Sequence, residues 1–417
     1  MQKTAEWTNW AGNVSAHPAR FSKPDSEPAV IDTLFEARSE GRGVRMVGAA
    51  HSFSPVCATD GVLMSLDGLQ GVLDADPQTA SATVYAGSRI SDLGAPLAAA
   101  GLALANQGDI DVQSLAGAIS TGTHGTGPTL GNLSSRVAGL RLVLGNGTVL
   151  DCSPEREPEI FHAARIGVGA LGVITRIVLR VIPSYRLHER HWIEPTETCM
   201  ARLDERISNN RHFEFFWLPL HDLCALKTLN PTSAMPYGNE AFASALDLDE
   251  DTLNAPQDPT IASFFEAPER VDWSWRIFPS VRTARMREME FAVEAVNGPA
   301  CFDEICRMIR SKYPALGWPV EYRTLAQDDI PLSQAYGRDS VTISVHQDIA
   351  LPWEDLFADA EAVFRNHRGR PHWGKLHSHR ANELSALYPE WNKFMDIRER
   401  LDPDRMFMNE HLRQIFG

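Results

Sequence analysis

Long apolar runs are missing from this sequence, and basic residues are outnumbered by acidic ones. No stretch approaches the roughly 18 uninterrupted apolar residues of a membrane-spanning helix, and the first residues lack the basic region followed by an apolar one that marks a secretory signal. The 39 Lys and Arg against 54 Asp and Glu give a formal net charge of -15, which repels nucleic acid and anionic membrane surfaces. These absences predict a cytoplasmic protein without nucleic-acid or membrane partners.

Cysteine is also scarce. Six cysteines are scattered over 417 residues without a C-x-x-C spacing, which argues against a zinc ribbon or a dense disulfide framework. We expect reduced, mostly buried thiols. The pairs His188 with His191 and His377 with His379 lack third and fourth ligands at a recognisable spacing, so the sequence predicts no metal site.

Apolar residues are sufficient for a large core, at 43% of the chain, and 417 residues indicate two or three folding units. Near the start, helices alternate with short strands, and we expect Ser91 and Asp92 to cap the second helix and Gly101 to end it. An Asn-Gly pair at 146–147 predicts a hairpin turn. The periodicity predicts helices over 28–42 and 90–100, and strands over 44–47, 61–66, 81–87, 137–144 and 148–151.

Two stretches of small residues suit the close approach of a ligand. Residues 47–50 expose the backbone just before a reactive imidazole, His51. Residues 106–127 carry four glycines and four Ser/Thr hydroxyls among the last eleven positions. Accessible N–H groups and hydroxyls fit the oxygens of a diphosphate; a tight glycine-rich connection is the alternative.

A third glycine-rich stretch, 167–172, matches the G-x-G-x-x-G pattern of dinucleotide-binding folds. That fingerprint requires a strand before it and a helix after it. Here a helix predicted over 159–166 comes first and a strand predicted over 173–182 follows. We therefore reject a Rossmann site and interpret these glycines as close packing beside a ligand.

The character of the chain changes after Pro183, which predicts a second domain. An aromatic strand is expected over 212–218, and a Pro/Asp/Asn-rich stretch at 230–259 predicts long irregular loops. Alternation over 320–324 and 340–346 is typical of half-buried strands. From residue 370 onward we expect two helical stretches, ending near residue 416.

Five motifs, in this order along nearly the whole chain, resemble those of the vanillyl-alcohol-oxidase superfamily of flavoproteins. Within it the chain is similar to the sugar-1,4-lactone oxidases and dehydrogenases and, less closely, to the alditol oxidases. The motifs are residues 48–53, the Gly/Thr-rich segment 114–127, Glu321-x-Arg323, His372-Trp373-Gly374-Lys375, and Leu401-Asp402-Pro403-Asp404-Arg405 with Phe407 and Asn409.

The resemblance implies an α+β fold with a two-part FAD-binding domain over 1–184. A cap domain over 185–369 would carry an antiparallel sheet flanked by helices, and 370–417 would return to the FAD domain. It also implies that His51 is joined covalently to the 8α-methyl carbon of the flavin; a histidine that only packs near FAD is the alternative. The implied FAD-binding residues are Val47, Gly48, Ala49, Ala50, His51, Ser52, Gly108, Ser114, Gly117, Ser120, Thr121, Thr123, His124, Gly172, Val173 and Lys375.

The implied reaction is oxidation of the C2 hydroxyl of an aldono-1,4-lactone by hydride transfer to flavin N5, with O2 or an electron carrier as acceptor. Arg323 and Lys375 would place positive charge near the reduced flavin or the substrate oxygens, and Glu321 would orient Arg323 or bind a substrate hydroxyl. Structural ion pairs are the alternative. The identity of the base is open: His346 ends a strand, and the spacing of His377 from Lys375 predicts both on one side of a strand.

Gly108 and Asp109 stand where alditol oxidases have alanine and serine, which favours the lactone enzymes. Glycine leaves room for oxygen, whereas Asp109 would bind a substrate hydroxyl or cap a turn. Two other functions stay open: an alditol oxidase that oxidises C1 of a polyol and produces H2O2, and a flavin- or sugar-binding protein without turnover. The expected partners are a small sugar lactone or polyol and the electron acceptor, with the protein a monomer or small homo-oligomer.

Overall fold

The computed structural model describes residues 6–239, 269–280 and 284–417. Two large hydrophobic cores form within these residues. The first gathers side chains from 30–181 and, from far along the chain, from 373–416, together with Ile330 and Leu332. The second draws on residues 199–364. Ile330 and Leu332 belong to the predicted second domain but pack in the first core. The domain boundaries at 184 and 369 therefore stay predictions.

The first core is built around one parallel and one antiparallel sheet. Its strands are β1 (Trp7–Thr8), β2 (Ser15–Ala16), β3 (Arg20–Ser22), β4 (Val44–Val47), β5 (Val62–Ser65), β6 (Val72–Asp76), β7 (Ser81–Tyr85), β8 (Leu102–Ala103), β9 (Val137–Val143), β10 (Val149–Cys152), β11 (Val173–Arg180) and β12 (Ile182–Pro183). The parallel sheet has the order β3-β5-β4 and the antiparallel one β10-β9-β11-β7-β6. The predicted hairpin is confirmed, with Val143 opposite Val149 and Gly147 at φ +81.

Helices pack against these sheets. They are α1 (Glu27–Ser39), α2 (Gly94–Ala99), α3 (Leu115–Thr121) and α4 (Pro158–Ala164), with 3₁₀ turns at Ile90–Asp92 and Leu133–Arg136. Helix α1 begins at a Ser26 cap that accepts from the Ala29 amide, and it buries Val30 and Leu34 at helical spacing. The rejection of a Rossmann site at 167–172 is confirmed, because α4 precedes those glycines and β11 follows them.

The expected cap of the second helix is wrong. Residues 90–92 form a separate 3₁₀ turn, and the residue before α2, Leu93, makes no capping hydrogen bond through its side chain. The amides of Ile90 and Ser91 donate instead to the carbonyls of Gln113 and Asp111. Those donors are therefore satisfied by a neighbouring segment. Gly101, at φ +75, does follow the last turn, as predicted.

The second core lies under an eight-stranded sheet of order β16-β13-β15-β14-β18-β19-β17-β20. Its strands are β13 (Arg186–Pro195), β14 (His212–Leu218), β15 (Leu223–Thr232), β16 (Arg270–Trp273), β17 (Met286–Glu294), β18 (Val320–Leu325), β19 (Ser340–Asp348) and β20 (Arg370–Pro371). Residues 230–232 continue β15, paired with β13, so the loop predicted from 230 is wrong there. Residues 233–239 follow β15 and form one isolated bridge, Tyr237 with Val271, whereas 240–259 lie outside the described residues.

The two faces of this sheet differ in chemistry. Phe215, Phe291 and Tyr322 belong to the apolar face, in the second core with residues of the helices at 298–312 and 354–366. The other face, here called the polar face, carries Glu214, Lys227, Glu288, Glu290, Glu321, Arg323, Ser344 and His346. The helices of this half and the tail are α5 (Thr196–Ala201), α6 (Leu203–Asn209), α7 (Ser274–Ile277), α8 (Gly298–Lys312), α9 (Glu354–Asn366), α10 (Ala381–Leu387), α11 (Trp391–Leu401) and α12 (Glu410–Phe416), with a 3₁₀ turn at Ala295–Asn297.

The predicted α+β class, with an antiparallel sheet flanked by helices, is confirmed. The expectation of half-buried strands at β18 and β19 is wrong, since residues on both of their faces are buried and the polar side chains pair with one another. The tail forms three helices where two were expected. The cysteines are unpaired and all but Cys57 are fully buried, as predicted. Among helices in the described ranges, none has the length and apolarity to cross a membrane.

Candidate active site

A groove of about 900 Å³, counting its open side, runs through the first half of the molecule. Small residues make up much of its wall, so that the backbone is accessible. It is bounded by the end of β4, by α3 and by the 167–172 segment. Eleven of the predicted FAD-binding residues line it: Val47, Gly48, Ala49, Ala50, His51, Ser52, Ser114, Gly117, Ser120, Thr121 and Gly172.

The loop after β4 presents a row of backbone donors to this groove. Within the part of the chain that the structure describes, no group accepts a hydrogen bond from the five amides at 48–52. Ala50 adopts a left-handed conformation, at φ +58. Successive free N–H groups around such a residue form an anion-binding concavity. The diphosphate of FAD fits this donor set.

Glycine is required where this loop meets α3. A Cβ atom at Gly48 would lie 2.0 Å from the Ser114 hydroxyl oxygen, far inside van der Waals contact. Ser114 in turn caps α3, with its hydroxyl accepting from the Gly117 amide at 3.3 Å. The two predicted small-residue stretches are thereby packed together along the groove.

Distant segments hold the His51 loop in place. Trp10 stacks on the His51 ring at 4.8 Å between centroids and donates its amide to the Ala50 carbonyl. On the other side, the Phe53 amide donates to the Gly374 carbonyl at 2.7 Å. Asn409 donates to the carbonyls of Pro55 and Ala58. The N-terminal arm and the C-terminal segment thus fix one loop.

His51 is neutral at physiological pH. Burial, followed by the charges of Lys375 and Arg89, lowers its pKa to about 4. A neutral imidazole keeps a nitrogen lone pair for nucleophilic attack. The position and protonation of His51 therefore suit either covalent attachment or close packing to a flavin.

The 167–172 segment is anchored by a buried arginine that the sequence did not single out. Arg45 of β4 donates to the carbonyls of Val168, Gly169 and Phe407 at 2.6–2.9 Å, and to Val56 at 2.8 Å. Burial lowers its pKa to about 10, which still leaves it charged. One guanidinium thus joins two segments that line the groove to the C-terminal segment at Phe407.

Opposing residues of neighbouring strands form an ion-pair network on the polar face. Glu214 stands opposite both Lys227 and Arg323 in the strand register, and its carboxylate lies 3.0 Å from the Lys227 ammonium and 3.1 Å from Arg323 Nε. Arg323 also pairs with Glu321 on its own strand, and its Nη2 atom lies 3.4 Å from Asp109 Oδ2. Asp109 belongs to the glycine-rich segment, so the network joins the two halves of the molecule.

Glu321 is the titratable group of this network. Burial raises its pKa to about 7. Arg323 opposes this rise, and the nearby carboxylates of Glu214 and Asp109 partly cancel the effect of Arg323. The carboxyl group is therefore partly protonated at neutral pH. A group with a pKa near the working pH can exchange a proton with a bound hydroxyl.

A second cluster surrounds Glu288 on β17. Lys375 pairs with it, and His346 Nε2 lies 3.7 Å away. Burial opposes ionisation, but Lys375 and His346 hold the pKa of Glu288 well below its ordinary value. The Lys375 ammonium also lies 5.0 Å from the centre of the Phe53 ring, near the His51 loop.

A third cluster joins the glycine-rich segment to the sheet. His124 Nε2 lies 2.9 Å from Glu290 Oε1, while Ser344 donates to the other oxygen at 3.0 Å. The His372 ring is 6.0 Å from that of His124. Burial opposes ionisation of Glu290, but His124 holds its pKa well below the ordinary value. The buried Glu290 carboxylate therefore connects the sheet of the second half to the glycine-rich segment of the first half.

His377 departs from the prediction. Strand β20 ends at Pro371, and the Lys375 amide turns back to the His372 carbonyl, so Lys375 and His377 do not share a strand. The His377 ring contacts Trp373, His379 and His411. Within the described ranges neither of its ring nitrogens has a hydrogen-bond partner. Its contacts are thus with the tail, and not with the polar face.

The other predicted residues lie beyond the groove lining. Gly108 packs against the glycine-rich segment, where a Cβ atom would come within 2.9 Å of the His124 carbonyl oxygen. Thr123 accepts from Gln113 at 3.4 Å. Val173 is fully buried at the start of β11. Val173 is not among the described residues that line the groove, although its neighbours Gly172 and Ile174 are.

The sequence did not predict Glu214, Lys227, Glu288 or Glu290 as site residues, and it indicated His372 only as part of the motif at 372–375. A signal existed for three of them. Glu288 and Glu290 alternate with apolar residues in β17, and Glu214 interrupts an aromatic strand. Charged residues at one parity of otherwise apolar strands indicate a buried polar face.

Comparison with known proteins gives the family. The family model described as D-arabinono-1,4-lactone oxidase matches residues 177–255 and 257–415, and the one described as FAD binding domain matches 18–153. An L-gulono-1,4-lactone dehydrogenase of Mycobacterium tuberculosis is 37% identical over 426 residues, covering 99% of each chain. The L-gulonolactone oxidase of Mus musculus is 29% identical over 434 residues, again covering 99% of each.

Solved structures support the fold. Cholesterol oxidase from B. sterolicum superimposes with a TM-score of 0.88 at 18% identity, covering 99% of this chain and 96% of the other. At that identity the likeness concerns the fold alone. The resemblance to the flavoprotein superfamily is confirmed by these findings together. The chain belongs to the D-arabinono-1,4-lactone oxidase family and is an FAD-dependent oxidoreductase.

Proposed function

We propose that this protein oxidises the C2 hydroxyl of an aldono-1,4-lactone, with O2 or an electron carrier as final acceptor. The observation that carries the proposal is the Glu321–Arg323 pair, buried beside Asp109 where the polar face meets the glycine-rich segment. The names of the relatives, gulonolactone and arabinonolactone enzymes, supply the substrate class. When bound, FAD supplies the hydride acceptor, its N5 atom.

The residues of the polar face have separate roles in proton transfer, substrate orientation and charge stabilisation. The Glu321 carboxylate takes the hydroxyl proton, since its pKa of about 7 leaves it partly ionised at neutral pH. Arg323 orients that carboxylate and donates to substrate oxygens. Lys375, held by Glu288, places positive charge where negative charge develops. His346 helps to keep Glu288 ionised, which is a positioning role.

The groove residues hold the cofactor. The free amides at 48–52 would hold the diphosphate of FAD, and the neutral His51 imidazole would be the point of covalent attachment to the flavin. Gly108 is required by close packing, because a Cβ atom there would come within 2.9 Å of the His124 carbonyl oxygen; access of O2 at this position stays a prediction.

Anaerobic bleaching of the bound flavin tests the reaction. Purified protein is mixed with a panel of aldono-1,4-lactones and of polyols such as xylitol and sorbitol, and the flavin absorbance is followed before and after air is admitted. We expect bleaching by lactones. Recovery of the colour in air indicates O2 as acceptor, and recovery only with an added redox dye indicates a carrier. Bleaching by polyols alone would instead identify an alditol oxidase, and a colourless protein would contradict the proposal.

A further inference from the structure

A small cavity lies next to the Glu321–Arg323 pair, between the glycine-rich segment and the polar face. Asp109, Glu214 and Lys227 are among the residues that line it. It has room for about one water-sized group. Two of its walls, Asp109 and Glu214, also contact Arg323, at 3.4 and 3.1 Å.

Lys227 brings hydrogen-bond donors to this cavity that the protein does not satisfy. An ammonium has three N–H donors. Its Nζ atom lies 3.0 Å from Glu214 but 3.8 Å from Asp109, which is beyond hydrogen-bonding distance. Among the described residues Glu214 is thus the one acceptor within reach. Buried donors left unpaired are costly, so a polar guest beside Lys227 is favoured.

The ammonium stays charged despite its burial. Burial disfavours the charged form, but Glu214 and Asp109 outweigh it and raise the pKa of Lys227 above its ordinary value. The neighbouring His212 is neutral, because burial lowers its pKa to about 3, and its Nδ1 faces the Thr126 carbonyl at 2.8 Å. The cavity therefore combines one cation with two carboxylates.

This charge pattern selects the chemistry of the guest. An anion such as a carboxylate or phosphate would be repelled by Asp109 and Glu214. An apolar group would leave the Lys227 donors unpaired. A hydroxyl group, of water or of a substrate, accepts from the ammonium and donates to a carboxylate at the same time, so it satisfies both sides.

We infer that this cavity is a hydroxyl-recognition subsite for the hydroxymethyl arm of the sugar lactone, with Lys227 and Asp109 as specificity-determining residues. The inference rests on the proposed function and deepens it. A lactone ring held by Glu321 and Arg323 lies beside the cavity, because Arg323 touches two of its walls. This arm is the ring substituent that lies farthest from C2, the carbon that is oxidised.

The test compares two lactones on the FAD holoenzyme. One is an aldono-1,4-lactone, and the other is the same compound with its terminal hydroxyl replaced by hydrogen. Anaerobic rapid-mixing measurements give Kd and the rate constant of flavin reduction separately. We expect the wild type to bind the hydroxylated lactone at least about tenfold more tightly than the other lactone, which is what one buried hydrogen-bond pair provides. In Lys227→Met the ratio of the two Kd values should be close to one.

Lys312→Met is the matched control. Lys312 also pairs with a carboxylate, Asp359, at 2.7 Å, but it is exposed at the end of α8. This variant should keep the wild-type ratio. Asp109→Asn provides a second route to the same answer if Lys227→Met fails to fold, and it too should reduce the ratio.

The inference is overturned if both lactones weaken equally in Lys227→Met and Asp109→Asn, since a purely structural role predicts that result. It is also overturned if Lys312→Met changes the ratio as much. Wild-type flavin that no lactone reduces refutes the proposed function and the subsite with it. Reduction by lactones with an unchanged ratio refutes the subsite alone.

Discussion

Burial moves the pKa of His51 down and that of Glu321 up, and each shift favours the neutral form. Removing an ionisable group from water always penalises its charged state, so a base becomes weaker and an acid becomes weaker too. At neutral pH the result is an unprotonated imidazole beside the groove and a carboxyl group that is half ionised on the polar face. Both residues can then be tested by single substitutions.

Replacing His51 by alanine should free the flavin. In the wild type we expect the yellow colour to remain with the protein after acid precipitation, because a covalent bond survives denaturation. In His51→Ala the colour should pass into the supernatant. His411, a second histidine whose burial lowers its pKa to about 4, is the matched control, and His411→Ala should keep the colour in the pellet. Release of all flavin from wild type would contradict the covalent bond.

The rate of flavin reduction should depend on the ionisation of Glu321. Its pKa is raised to about 7, so the carboxylate base is present above that pH and lost below it. We expect the rate constant to rise up to about tenfold per pH unit below pH 7 and to level off above it. Glu321→Gln should lower the rate constant by about 10²–10⁴-fold and remove the rise. Glu288→Gln should retain the rise, since Glu288 is ionised throughout this range. A rise that persists in Glu321→Gln would assign the titration to another group.

At the scale of elements, strand β17 contributes side chains to both the second core and the polar face. Met289 and Phe291 point into the second core, whereas Glu288 and Glu290 belong to the polar face. Successive side chains of a strand alternate between the faces of the sheet. The apolar side is covered by α8 and α9, which keep the polar side in place against the first half of the molecule.

Helix α8 should therefore contribute strongly to stability through its buried face. Ile305 is fully buried in the second core, and Ile305→Ala should lower the free energy of unfolding by about 2–5 kcal/mol, measured by chemical denaturation. Arg307 on the same helix makes only an exposed pair with Asp303, and Arg307→Ala should change it by about 0.5 kcal/mol or less. Equal effects of the two substitutions would show that α8 is not held by its apolar face.

At the scale of the whole molecule, buried histidines make the fold sensitive to acid. Burial lowers the pKa of His372 and His411 to about 4 and that of His377 to about 3. In the unfolded chain a histidine titrates near 6.5, so between that pH and about 4 the unfolded state binds more protons. Stability is therefore lost as the pH falls through this window, by about 1.4 kcal/mol per pH unit for each such histidine.

Denaturant unfolding at pH 7, 6 and 5 measures this loss. We expect the free energy of unfolding to fall steeply between pH 6 and 5. In His377→Phe this decrease in the free energy of unfolding should be smaller by the amount that one histidine contributes. The substitution removes no hydrogen bond, because neither ring nitrogen of His377 has a partner in the described residues. Equal stability at pH 5 and pH 7 in the wild type would refute the prediction.

Local pattern was enough to predict much of the chain. The periodicity of 28–42 and of the strand at 173–182, the hairpin at 146–147 and the order of helix, glycines and strand at 167–172 all depend on neighbours in sequence, and the structure agrees with them. Small residues before His51 likewise indicated a loop that exposes its backbone. Wrong predictions, such as the cap at Ser91 and the strand through His377, concerned segments whose hydrogen bonds go to distant partners.

The sequence by itself determined the class of fold, the superfamily and the loop that carries His51, because each follows from short-range periodicity or from motifs with fixed spacing. Only the tertiary structure decided which charges meet. Glu214, Lys227 and Arg323 lie on three strands and are joined by the sheet register, and Asp109 reaches them from the other half of the molecule. Burial of Glu321 near the carboxylates of Glu214 and Asp109 raises its pKa to about 7, although Arg323 opposes the shift. Such a value depends on the distances between charges and on their removal from water, and both exist only once the chain has folded.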